Sequence, residues 1–150
     1  MFRPSFIAGL SGLMATVTFA SPLASTQTVQ RAVADFGLFG SWGDDCSLPM
    51  SPRNPRSFFT IAPDGTVVRR GLTGIEYDLA NDYKILAARR IAKDQLAIHV
   101  ESASEKLNII LQKRNGGVGA LRSSAGGKLS IRNGIDLTTG RPNGSMKKCT

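Results

Sequence analysis

From residue 58 onward the chain alternates apolar and polar positions in short runs separated by turn residues. Such runs occupy 58–62, 66–70, 75–79, 83–91, 96–100, 107–111, 118–123 and 128–132. In the fifth run Leu96, Ile98 and Val100 alternate with Ala97, His99 and Glu101, a period of two that puts one face of a strand inside and the other in water. Pro63-Asp64-Gly65, Lys93-Asp94, Asn115-Gly116-Gly117, Ala125-Gly126-Gly127 and Asn133-Gly134 punctuate the runs with residues that suit tight turns. Eight or nine short strands recurring about every 8–12 residues predict an antiparallel sandwich or an up-and-down barrel.

The pattern differs at the N-terminal side. Val29, Val33 and Phe36 share a helical face at i, i+4 and i+7, Thr26 or Thr28 can cap it, and Gly37 and Gly40 stop it. A short amphipathic helix is expected over 26–38, within a segment 26–39 that precedes a β domain at 40–150. Residues 47–56 hold three prolines and form a loop, because proline cannot donate to a central ladder.

The first residues change the chemical setting. Arg3, a weakly apolar run over 6–19 and small residues at Thr18 and Ala20 form a leader, with cleavage expected after Ala20, or as late as residue 25. A membrane anchor is the rival reading, but the run is short and carries Ser11, Gly12, Thr16 and Thr18. The mature chain is then expected in the periplasm or outside the cell, not spanning a membrane. In an oxidising compartment Cys46 and Cys149 are expected to pair. A catalytic cysteine would need a basic partner such as histidine, which the spacing does not supply. A bond from the start of the domain to its penultimate residue favours a closed meander, whose last strand lies beside its first.

Gly40-Ser41-Trp42, directly after the helix, resembles the Gly-x-Trp element that opens lipocalins and related calycin barrels. The resemblance implies an up-and-down barrel whose tryptophan plugs the closed end under a basic residue of the last strand. Arg132, near the end of the 128–132 run, is the expected partner of Trp42. The longer pattern Gly-x-Trp-x-x-Asp-Cys, with Lys147-Lys148-Cys149 at the end, is also similar to a group of small exported Gram-negative proteins. Periplasmic metalloprotease inhibitors share a Gly-x-Trp and a nearby cysteine. That resemblance would give residues 21–28 the role of an extended inhibitory arm.

Composition narrows the function. The 150 residues carry 19 Lys and Arg against 11 Asp and Glu, a net charge of +8 that becomes +7 once Arg3 leaves with the leader. Export and the lack of a nucleic-acid-binding motif argue against nucleic acid as the partner. One His and two distant Cys do not make an ordinary zinc site. No catalytic set, metal or cofactor is expected. His99 reads as a surface or rim residue, and Asp44 and Asp45 as strand neighbours that point apart. The paired cations Arg69-Arg70, Arg89-Arg90 and Lys113-Arg114 would end the third, fifth and seventh strands of an unbroken meander. They are expected to meet at one basic rim, opposite Asp64, Asp78, Asp82, Glu101 and Glu105. The function expected is non-catalytic binding, to an anionic small molecule or envelope component at that rim or to another protein. The alternatives are protease inhibition and a purely structural module.

Overall fold

The computed structural model describes residues 22–72 and 82–150, with side chains from Thr28 onward. The expected leader at 1–20 and the expected strand at 75–79, with Asp78, lie outside the described residues. The described elements are one helix, α1 (Pro22–Phe36), and ten strands: β1 (Gly40–Gly43), β2 (Arg56–Ile61), β3 (Val67–Leu72), β4 (Asp82–Ala92), β5 (Gln95–Glu101), β6 (Lys106–Arg114), β7 (Gly117–Ala125), β8 (Lys128–Arg132), β9 (Ile135–Asp136) and β10 (Met146–Cys149).

Helix α1 begins four residues before the expected start, at a proline, whose fixed φ and missing N–H suit a first helical turn. From Pro22 the segment expected as an extended arm is helical. The helix ends as its sequence dictates. Gly37 takes φ of 77°, its N–H donates to the Ala34 carbonyl at 2.8 Å, and the Leu38 N–H donates to the Val33 carbonyl at 3.1 Å. These two bonds form a Schellman cap, and the turn drops Leu38 into the core behind Val33.

Strands β1 to β7 pair antiparallel in chain order, and β10 pairs with β1 on one side and β7 on the other. The result is a closed antiparallel barrel of eight strands, with no free edge within the ring. The ring closes on 146–149 and not on the 128–132 run that the sequence offered as the last clear strand. Strand β7 shares one edge between two partners: Val118 and Gly117 face Met146 and Lys147, and Ser123 to Ala125 face β8. The β8–β9 hairpin is therefore a flap beside the seam.

The seam depends on close approach at Gly117, where an added Cβ would run into the Met146 carbonyl oxygen. A Gly117→Ala change is expected to cost about 1–3 kcal/mol, the range for forcing extra volume into a packed site. Denaturant unfolding checks this.

Alternate residues of the ring point inward. Phe59, Val67, Ile85, Ile98, Val100 and Val118 meet in one cluster with Trp42 and with Val29, Val33, Phe36 and Leu38 of the helical segment. Helix α1 packs mainly on β4, with smaller contacts to β3 and β5. Gln30 ties it to the β2–β3 turn by donating to the Gly65 carbonyl at 2.7 Å. The start of β1, the β2–β3, β4–β5 and β6–β7 turns and the end of β10 thus lie at one end, the helix end. The C-terminal ends of β1, β3, β5 and β7 lie at the other, the mouth end.

Candidate functional site

The inner face at the mouth end is built from three strands in register. Phe59 of β2 faces Arg69 of β3, and Arg69 faces Tyr83 of β4. Because Val67 points inward, Arg69, two residues on, must point inward as well. Its guanidinium stands 5.8 Å from the centre of the Tyr83 ring, a cation–π distance. Its Nη2 and Nε donate to Ser57 Oγ at 3.0 and 3.3 Å. No carboxylate lies within ion-pair distance of Arg69 among the described residues. Burial pushes its guanidinium below the ordinary arginine value, yet arginine stays charged. Tyr83 donates its hydroxyl to Glu105 Oε1 at 2.6 Å, and that bond, which needs the phenol proton, raises the phenol above its ordinary value.

Arg69 borders an interior cavity of about 380 Å³. Phe59, Ile98, Val100, Leu107, Ile109, Leu111 and Val118 supply an apolar lining. Its polar groups are Arg69, Tyr83 and Asp44 at the mouth end and Asn143 near the seam. A second depression, of about 330 Å³ and reaching Pro55, Gly71 and Leu72, shares Asp44, Arg69, Tyr83 and Met146 with the first. Arg69 therefore stands where the apolar interior meets the mouth. A volume of this size lies at the low end of the range of about 300–1,000 Å³ for small-molecule sites.

The three basic pairs do not share a rim. Strand β3 pairs directly with β4, with Val67 opposite Ile85 and Arg70 opposite Asp82, so the two are neighbours in the sheet and successive described strands alternate in direction. Arg69 and Arg70 lie at the mouth end; Arg89, Arg90, Lys113 and Arg114 lie at the helix end. Arg70 is on the outer face, with its Nε 3.1 Å from Asp82 Oδ2. Arg114 does not stand free: its Nη2 donates to the carbonyls of Asn143 and Gly144, holding the 143–144 backbone against the β7 edge, where Asn143 Nδ2 donates to the Ala120 carbonyl at 3.2 Å. Of the carboxylates expected together, Asp82, Glu101 and Glu105 are at the mouth end, but Asp64 sits in the β2–β3 turn at the helix end.

The Trp42 site has a different cation from the one expected. Trp42 is 5 % exposed and donates its indole N–H to the Leu38 carbonyl at 2.6 Å. Lys148 lies opposite it in register, with Nζ 5.7 Å from the ring centre and 3.3 Å from the Gly37 carbonyl oxygen. Arg132 is exposed on the β8 flap, outside the ring. The terminal cysteine held the missing signal. Cys46 and Cys149 are bonded, with Cα atoms 5.3 Å apart; Cys149 faces Ser41, which places Lys148 across from Trp42.

Asn54 is a structural residue that periodicity could not reveal. Buried under the proline-rich loop, its Nδ2 reaches the carbonyls of Asp45, Pro49 and Leu48 at 2.9, 3.1 and 3.2 Å. Arg56 Nη2 donates to the Leu48 carbonyl at 2.9 Å, and the loop presents Leu48 outward, 54 % exposed. His99 lies on the outer face, with Nδ1 2.9 Å from Asn108 Oδ1. Among the described residues no group of three or more His, Cys, Asp or Glu side chains is placed to hold a metal ion. Nor is any described helix long and apolar enough to cross a membrane. No family model, curated protein or solved structure matches the chain.

Proposed function

We propose that this chain is an exported, lipocalin-like binding protein that takes a small amphiphilic anion into its barrel. The apolar body would lie against Ile98, Val100, Leu107 and Ile109, and the acidic head would meet Arg69 at the mouth. The single observation that supports this reading is an inward guanidinium with no acidic partner among the described residues, at the edge of an apolar cavity of about 380 Å³. A cation drawn from water into an apolar surface needs compensation. Ser57 and the Tyr83 ring supply part of it, and a ligand carboxylate or sulfonate would supply a charge-assisted bond. The Cys46–Cys149 bond and the leader expected at 1–20 support export, and the buried Trp42 supports the calycin likeness. The anion-binding role expected for six paired cations thus rests on Arg69.

Two fluorescent probes with the same anilinonaphthalene body test it. 8-Anilinonaphthalene-1-sulfonate carries an anionic head, and N-phenyl-1-naphthylamine carries none. The protein is expected to prefer the sulfonate. An Arg69→Met change is expected to weaken sulfonate binding by about tenfold to a hundredfold, as for loss of a hydrogen bond to a charged group, and to leave the neutral probe nearly unaffected. Equal losses for both probes, or none for the sulfonate, would refute the reading. Ile109→Trp, which fills the cavity, should weaken both.

A further inference from the structure

The helix end of the barrel is a cationic surface interspersed with exposed apolar side chains. Arg89, Arg90 and Lys93 lie on the β4–β5 hairpin, which is stitched to β6 by the Lys113 N–H donating to the Asp94 carbonyl at 2.9 Å. Lys113 and Lys148 border one depression of about 450 Å³, their ammonium groups held over Phe36 and Trp42 at 4.7 and 5.7 Å. None of these five cations has a carboxylate within ion-pair distance among the described residues. The described carboxylates nearby are otherwise engaged. Asp94 accepts from Gln112 Nε2 at 3.0 Å, Asp64 accepts from the Thr66 N–H at 2.9 Å, and Asp35 faces Arg31 across a turn of α1.

The mouth end holds more of the described carboxylates. Asp44, Asp45, Asp82, Glu101 and Glu105 gather there; of its exposed cations, Arg70 and Lys106 are paired with Asp82 and Glu101, while Arg53, Lys84, Lys128 and Lys147 have no ion pair among the described residues. Two large apolar side chains stand exposed on hairpins of the helix end: Ile61, 49 % exposed, and Ile91, 40 % exposed between Arg90 and Lys93.

We propose that this end docks on an anionic lipid bilayer, with the cations among the headgroups and Ile61 and Ile91 entering the interface. A soluble polyanion would use the charge but gain nothing from exposed isoleucines, whereas a bilayer rewards both. Docked in this way, the barrel would turn its mouth, and Arg69, away from the membrane. The inference goes beyond the binding proposal and stands if that proposal fails, because no residue is shared.

Vesicle co-sedimentation of the oxidised protein tests it, with phosphatidylcholine alone and with phosphatidylcholine mixed with phosphatidylglycerol. Binding is expected only to the mixed vesicles, and it should weaken as salt is raised. Arg89→Gln with Lys93→Gln should weaken it by about twentyfold, near fivefold for each cation removed from an anionic surface. Ile91→Ser should weaken it by about threefold through lost apolar contact. Arg53→Gln with Lys128→Gln removes the same charge away from this end and should leave binding unchanged. The proposal is overturned if this control pair matches the loss of the first pair, if Ile91→Ser has no effect, or if the protein does not bind mixed vesicles at low salt. Near-ultraviolet circular dichroism confirms that each variant keeps the fold.

Discussion

Replacing Cys149 by serine is expected to destabilise the barrel by about 4–5 kcal/mol, the largest effect of any single change considered for this chain. The bond joins residues 103 apart, and a loop of that size loses about 4.7 kcal/mol of denatured-state entropy in the chain-entropy model. The location makes the effect more than entropic. Strand β10 is four residues long, meets β7 over only two residue pairs, and is the one element that closes the ring. Without the bond the C-terminus is held by a short ladder and by Lys148 at the Gly37 carbonyl. Denaturant unfolding of the oxidised protein and of a Cys46→Ser/Cys149→Ser variant measures the difference. A loss below about 1 kcal/mol would mean that the ladder alone holds the seam. Reduction of the intact protein should reproduce the double variant, which separates the bond from the side chains.

The second large effect is expected at Trp42. Its substitution by alanine should cost about 3–5 kcal/mol, as for other large aromatic deletions in cores. The indole lies between Leu38, which receives its N–H, and Lys148, which covers its ring. It therefore joins the helical segment, the first strand and the last. Trp42→Phe keeps most of the apolar volume and removes the donor, so it should cost nearer 1 kcal/mol beyond the lost ring area. Lys148→Met keeps the stem and removes the charge, and about 1 kcal/mol or less is expected. If Trp42→Ala and Trp42→Phe were equally mild, the residue would not be a plug.

Much of the architecture was legible because it depends on local pattern. The alternation of Leu96, Ile98 and Val100 placed β5 and its inward face correctly, since a strand has only two faces. Val29, Val33 and Phe36 marked the buried stripe of α1, and Gly37 marked its end. The arrangement of charge was not legible in the same way. A single miscounted strand reverses the end at which every later residue lies, and the direct pairing of β3 with β4 moved Arg89 and Arg90 to the opposite end from Arg70. The role of Arg114 was hidden for another reason. Its acceptors are carbonyls of residues 143 and 144, and nothing in the local sequence announces a backbone contact 29 residues away.

The sequence by itself determined the fold class, the N-terminal helix of the described residues with its glycine stop, the pairing of the two cysteines and the inward face of most strands. These follow from periodicity, turn chemistry and the expectation of an oxidising compartment. The tertiary structure alone decided which strand closes the ring, which cation covers Trp42 and which of six paired cations borders the apolar cavity. Each depends on register between segments distant in the chain, and register is settled by packing of the whole barrel. Arg69 shows the division. Its position in a strand was readable, but its place beside Tyr83 and an apolar cavity exists only once β2, β3 and β4 lie side by side.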